Sequence, residues 1–472
     1  MVSKKVLAAI IIVVIVIVAA SIMFYVVPTF ILPPAEQILI GATLDLTGPM
    51  AAFNAGLTFG HQAAVEDINA QGGVLVGGRR IPVKYIVYNN EGDPSKAASQ
   101  AADLILKDGV IALVGGDGPP VIWNPICVVA DRYKTPIVAG SPWEPWWAGG
   151  PAGKTAPGFP VAGGYDYAWS ILFRIAVTPG KETGHPWLEG KRGYRLADAA
   201  IDITKMFEKY YTEKPPRVAV LACDDADGRG WYETFPKVIK EELGYIPWRT
   251  PEHTGETFGL YPPGTTDFTS LIEEWKRANC EILWANLPGI DFGTVVKQMA
   301  ALGYTPKIGW IARGAMFYEE IAAWGGDLPL GWISEIKWDP TYDPATHPGI
   351  GGTTPWSLHE RWSKAKGTPV EVTQYCYTTG FGYAAMQVLF DAISRAGKLD
   401  KEAINNAIAE TDMYTIRGHI KFSKLTHDSP CPVVVGQWQK VDKPWKWEMR
   451  IVYSPIPEIK PNGEMIFPIP PK

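Results

Sequence analysis

From Gln37 onward the chain alternates short β-branched runs with amphipathic helical stretches, and the series occurs twice. "ILIGATL" (38–44), "VKYIVYN" (83–89), "VIALVGG" (110–116) and "PIVAG" (136–140) read as strands. Residues 50–70 set Leu57, Ala64, Val65 and Ile68 on one helical face. Pro94 opens a second helix at its favoured first-turn position, with Ala97, Ala101 and Ile105 in its buried stripe, and a third helix runs to about Tyr133. The second series opens with "RVAVLAC" (217–223). It continues through helices at 228–243 and 267–279, strand "EILWANL" (281–287), a helix at 291–302 and strand "KIGWI" (307–311). Strands alternating with helices imply a parallel sheet covered on both faces, so the fold class is α/β with two doubly wound, Rossmann-like lobes. In such open sheets a ligand sits beyond the carboxyl ends of the strands, and two facing lobes define a cleft.

A chain of 472 residues has room for two or three domains and a large core. A net charge of −5 supplies no basic footprint, which argues against a nucleic-acid partner. The 19 tryptophans mark an aromatic-rich protein and leave the ligand open. Five cysteines are scattered with no CxxC pair, against a zinc site or thioredoxin-type chemistry; Cys376 and Cys431, the two in the C-terminal third, are the expected disulfide. Neither HExxH nor GxSxG occurs. No catalytic residue, metal or cofactor is therefore expected, and the chain does not read as an enzyme.

Two local motifs invite sharper readings. "AGGPAGKT" (148–155) fits a relaxed phosphate-binding loop, but a working one needs a strand before it and a helix after it. Here "PWEPWW" precedes and "APGFPVAGGY" follows, with prolines that bar a helix. The segment reads instead as an insertion at the cleft rim, whose tryptophans either pack it onto its own lobe or stack on a ligand. "DDADG" (224–228) lacks the EF-hand register and reads as a turn lining the cleft.

Ahead of the lobes, the chain is apolar without interruption from Val6 to Val27 and is preceded by Lys4 and Lys5. A cleaved signal has an apolar core of roughly 7–15 residues and a spanning helix needs about 20. The run predicts a retained N-terminal transmembrane helix in the cell membrane, with the lysines cytoplasmic and the globular part outside. Ala19-Ala20-Ser21 leaves a cleaved signal open as the alternative.

"IGATLDLTGPMAAFNAGLTFGHQAAVEDINAQGGVLVGGRRIPVKYIVYNNEGDP" (40–94), "YPPGTTDFTSLI" (261–272), "GYAAMQVLFDAISRAGKLDKEAINNAI" (382–408) and "TIRGHIKFSK" (415–424) together resemble the type I periplasmic, solute-binding proteins of ABC importers, in their Leu/Ile/Val-binding, amino-acid branch. The resemblance covers roughly 37–450. It implies two lobes joined by a three-strand hinge near Phe173–Val177, Trp332–Ile336 and Tyr414–Arg417. It also implies capture of a small polar or acidic solute, amino-acid-like or carboxylate-bearing, by lobe closure, and delivery to ABC permease subunits. On this scheme residues 1–36 are anchor and spacer, 37–174 with 340–413 form lobe 1, 175–339 with 414–453 form lobe 2, and 454–472 are a proline-rich tail, read as an extended strap. A ligand-sensing ectodomain with a separate signalling partner is the alternative function.

The resemblance carries ligand roles to Phe53, the aromatic after strand one; to Asp117 and Gly118, where the family has hydroxyls; and to Ser141 and Trp143 in the next contact segment. In the second lobe it points to Asp227, where the family often has Tyr, to Asn286, and to Arg313, about where amino-acid binders hold an acid. A guanidinium there would repel an ammonium and pair with a carboxylate, so Arg313 is expected to favour an acidic ligand over a zwitterion such as leucine. The anchor has a direct check: expressed in its host, the protein sediments with membranes and keeps its first residues, whereas a mature N-terminus near Ser21 in the soluble fraction overturns the expectation.

Overall fold

The computed structural model describes residues 37–48, 50–118, 120–139, 165–172, 191–248, 259–372, 377–424 and 427–472. In the first lobe the chain forms β1 (Ile38–Leu44), α1 (Ala51–Ala70), the hairpin β2 (Val74–Val76) and β3 (Arg79–Ile81), then β4 (Val83–Asn89), α2 (Pro94–Leu106), β5 (Ala112–Val114), α3 (Pro120–Arg132), β6 (Ile137–Ala139) and β7 (Ala168–Ser170). In the second it forms α4 (Leu196–Met206), β8 (Arg217–Cys223), α5 (Ala226–Val238), β9 (Ile246–Trp248), β10 (Leu260–Tyr261), α6 (Thr269–Arg277), β11 (Ile282–Asn286), α7 (Gly289–Ala301), β12 (Ile308–Ala312), α8 (Tyr318–Trp324) and β13 (Ile333–Ile336). There follow α9 (Pro355–Lys366), α10 (Tyr377–Ala396), α11 (Lys401–Ala409), the hairpin β14 (Asp412–Thr415) and β15 (Gly418–Lys421), and finally β16 (Val434–Lys440) and β17 (Trp447–Tyr453).

The first sheet runs β4-β1-β5-β6-β7, all parallel. The second runs β10-β8-β11-β12-β13-β16-β17 with β9 beside β8; it is parallel through β13 and antiparallel beyond. Local chemistry sets the helix starts. Asp93 caps α2 by accepting from the Lys96 N–H, with Pro94 in the first turn, and Asp225 caps α5 by accepting from the Gly228 N–H at 2.8 Å. The tryptophans serve the core: Trp169, Trp284, Trp310, Trp332 and Trp438 are all buried.

The lobes are built from separated stretches of chain. After β13 the chain returns to the first lobe, where α10 lies along α1. That approach is very close. A Cβ on Gly60 would stand 2.1 Å from the Thr379 carbonyl oxygen, and one on Gly382 would stand 2.3 Å from that of Leu57. The third crossing differs from the expected Tyr414–Arg417. The β14–β15 hairpin belongs to neither large sheet and is tied to α10, whose Gln387 side chain accepts from the Ile416 N–H. The chain crosses at 427–434 instead, where Ser429 N donates to Ser170 O (2.8 Å), Cys431 N to Leu172 O (3.2 Å) and Val433 N to Gly193 O (2.7 Å).

At this junction Arg417 is fully buried. Its Nε donates to Ile171 O at 2.9 Å, one terminal nitrogen to His419 O at 2.8 Å and the other to Ser429 O. The tail lies along the second lobe as an extended strap: Phe467 stacks on Phe207 at 3.8 Å, Ile469 is buried, and its N–H donates to Lys307 O. Cys127, Cys223, Cys280 and Cys431 are buried. Cys376, Ser141, Trp143, the 148–155 motif and the apolar run at 6–27 lie outside the described residues, so the Cys376–Cys431 bond forms no part of the described structure. Among the described residues no helix is long and apolar enough to cross a membrane.

Gly→Ala inside a helix ordinarily stabilises by up to about 1 kcal/mol. At Gly60 the backbone of α10 leaves no room for the methyl, so the sign reverses. Gly60→Ala is expected to destabilise the protein by about 1–3 kcal/mol, read as a lowered thermal midpoint; an unchanged or raised midpoint contradicts the packing described here.

Candidate functional site

The cleft is assembled from residues that follow the carboxyl ends of strands. Asp117 follows β5, Asp225 and Asp227 follow β8, Asn286 ends β11, Arg313 follows β12, and Glu335 and Lys337 lie on and just after β13. Phe53, on the first turn of α1, and Met50 complete the wall from lobe 1, and Trp231 and Met316 complete it from lobe 2. Of the sequence-derived candidates, Phe53, Asp117, Asp227, Asn286 and Arg313 therefore meet around one space. Gly118 is buried beside Trp123 and does not line that space.

Asn54, which the sequence reading passed over, positions the lobe-1 loop. Its Nδ2 donates to Asp117 O and its Oδ1 accepts from Asp117 N, both at 3.0 Å. Gly116 makes the pair possible, since a Cβ there would stand 2.2 Å from Asn54 Oδ1. Opposite, the "DDADG" turn is the capped start of α5, with Asp227 in its first turn, where a carboxylate suits the helix dipole.

Arg313 requires a correction. It takes a left-handed backbone conformation, φ +63°, uncommon for a residue with a long side chain. One terminal nitrogen lies 2.9 Å from Asp225 Oδ2 and the other 3.4 Å from Asp227 Oδ2. Two carboxylates of its own lobe match the guanidinium, so its charge is not free to select an anionic ligand. The argument from Arg313 against a zwitterion falls with it. Cleft and flanks carry Asp117, Asp225, Asp227 and Glu335 against Arg313 and Lys337, an excess of acid. Glu335 and Lys337 are buried and 3.2 Å apart.

Burial pushes the Asp227 carboxyl up to about 6 despite the pull of Arg313, and burial likewise pushes Glu320, on α8, up to about 7. The Asn286 side chain hydrogen-bonds to Asp227, while its Oδ1 remains buried without a partner, as does Arg313 Nε. A buried unpaired donor or acceptor costs about 1–3 kcal/mol, so these two atoms mark where a solute gains most. Among the described residues no cluster of His, Cys, Asp and Glu could hold a metal.

The lobes stand nearly shut. Phe53 meets Phe317 of the opposite lobe edge to face at 4.8 Å, and the enclosed volume is about 30 Å³, room for a water or two. A solute therefore enters only when the lobes part. Glu335 and Lys337 were legible in principle: "SEIKW" places charges two apart on one face of an apolar strand. Trp231 and Asn54 gave no such signal.

The chain matches the periplasmic binding protein family over residues 37–171 and 174–443. It is 26% identical over 369 residues to the Leu/Ile/Val-binding protein homolog 3 of Brucella melitensis, covering 78% of this chain and 81% of that protein. Among solved structures it resembles a leucine binding protein from Thermotoga maritima, with a TM-score of 0.61, 20% identity, and 89% and 99% of the two chains covered. It also resembles an ABC-transporter solute binding protein from Rhodopseudomonas palustris in complex with 3,4-dihydroxybenzoic acid, with a TM-score of 0.61, 18% identity, and 90% and 99% covered. Together with the two facing lobes and the cleft between them, these matches place the chain in the periplasmic binding protein family, whose members bind solutes and are not enzymes.

Proposed function

We propose that this protein captures an amino-acid-like solute in the interlobe cleft outside the cytoplasm, held at the membrane by its N-terminal apolar run, and hands it to an ABC permease. The observation that carries the choice of solute is the acid excess around Asp227, Asn286 and Arg313. Asp227 and the unpaired Asn286 Oδ1 suit a ligand ammonium, and the unpaired Arg313 Nε suits its carboxylate. Phe53 and Trp231 supply faces for an apolar side chain. The names of the Brucella and Thermotoga proteins agree with this class. Lobe closure then creates the shape that the permease reads.

A second reading takes the same aromatic faces to hold a ring-bearing acid without an amine, the class of the 3,4-dihydroxybenzoic acid in complex with the Rhodopseudomonas protein. The two readings predict opposite pH dependence. An ammonium binds the ionised Asp227, whose carboxyl titrates near 6. Affinity for leucine, isoleucine or valine should then hold from pH 8 to 7 and fall towards about tenfold per unit below 6. Affinity for 3,4-dihydroxybenzoate should instead rise on acidification, as the repelling charge is lost. Calorimetry across that range separates them. Asp227→Asn should weaken amino-acid binding by at least about tenfold, or 1.4 kcal/mol, and flatten its pH profile. Failure of all three amino acids to bind at pH 7.5 removes the primary reading.

A further inference from the structure

Closure brings a ring of each lobe together beside the solute space. Phe53 of lobe 1 and Phe317 of lobe 2 meet edge to face, at 77° and with centroids 4.8 Å apart. Phe53 lines the space, whereas Phe317 does not. The contact therefore lies at the rim, and its energy does not depend on what the space holds.

Both rings are mounted on braced backbone. Phe53 sits in the first turn of α1, and Asp45 fixes the start of that helix by accepting from Met50 N at 3.0 Å. The neighbouring Asn54 is tied to Asp117. Phe317 ends the connection from β12 to α8 in an extended conformation, φ −109° and ψ 133°. On one side of it Trp438 Nε1 donates to Ala315 O at 2.7 Å, and on the other the Tyr318 hydroxyl donates to Trp445 O at 2.7 Å. Trp438 lies on β16 and Trp445 on the β16–β17 connection, so the loop that bears Phe317 is clamped to the body of lobe 2. A ring held this way loses little freedom when it meets its partner, and an edge-to-face pair contributes beyond the apolar area it buries. The contact works against like charge. The Asp227 carboxyl of lobe 2, raised mainly by burial, is pushed further up by Asp117 of lobe 1.

We propose that Phe317 is a latch: by meeting Phe53 it holds the lobes together with or without a solute, and so gates entry and release without touching the solute. The inference rests on the proposed reading of the cleft as the capture site, and not on which solute fills it. Entry and release both pass through an open form. Weakening the latch raises the open fraction of the filled protein, and it raises that of the solute-free protein nearly as much while that form rests mostly closed. Association and dissociation then quicken together, and affinity changes little. A residue that contacts the solute would instead change the affinity and the ranking of related solutes.

The test compares the full chain, freed of solute, with its Phe317→Ala variant by small-angle scattering and by stopped-flow binding of leucine. The solute-free variant should have a larger radius of gyration than the wild type. Leucine association and dissociation should both accelerate about threefold to tenfold, while Kd moves by less than about threefold. The order of affinity among leucine, isoleucine and valine should not change. Phe317→Leu keeps an apolar side chain at this half-buried position; it should shift the same readings by less, and it carries the test if the alanine variant does not fold. An unchanged radius of gyration overturns the proposal. So does a reordering of the three amino acids, which makes Phe317 a solute contact. If none of the three binds, the reading of the solute falls, and the scattering comparison still decides the latch.

Discussion

A single buried guanidinium holds the junction of the two lobes. Arg417 reaches the end of β7, the β14–β15 hairpin and the segment entering β16, and it donates to a carbonyl in each. Burying a cation without a carboxylate is expensive, and it persists where several fixed dipoles converge on it. Here one of them, Ile171 O, comes from a segment remote in sequence, so the charge is tolerated only when that segment is in place. The arrangement makes the hinge a determinate joint, and the cleft inherits its geometry. Asp117 on one side and Asp227 on the other line the same space.

The strand–helix alternation was legible because burial on a parallel sheet imposes period-2 and period-3.6 patterns that survive any ligand choice. The strand at 217–223 and the helix opened by Pro94 appear as read. The gathering of Phe53, Asp117, Asp227, Asn286 and Arg313 was legible for a topological reason, since each follows a strand end or sits on the first helix turn. What the letters could not reveal was pairing. Arg313 looks like a free cation in the sequence, yet its left-handed backbone aims it at Asp225 and Asp227. The third crossing was misplaced for a similar reason: "TIRGHIKFSK" has a strand pattern, but its partner is the adjoining β14 and not a strand of either large sheet, and the long-range bonds at 427–433 carry no local signature.

The nearly shut cleft holds two conflicting tendencies. Aromatic contact between Phe53 and Phe317 favours closure, while Asn286 Oδ1 and Arg313 Nε cost free energy when dehydrated without a partner. A solute removes the second set of costs and leaves the first gain intact. Ligand-dependent closure needs no other device than this difference between an empty and a filled polar wall.

The order in which the chain is threaded through its lobes also limits when it can fold. Lobe 1 needs α10 against α1, and lobe 2 needs β16 and β17 beside β13, with the 454–472 strap laid over it. A chain emerging from the ribosome in sequence order therefore carries the lobe 1 sheet without α10 until Ala396 has appeared, and the lobe 2 sheet with an open edge until Tyr453 has appeared. Both lobes are therefore incomplete while the stretch from β13 to α10 is being made, and any factor that shields apolar surface must then act on two half-built lobes at once.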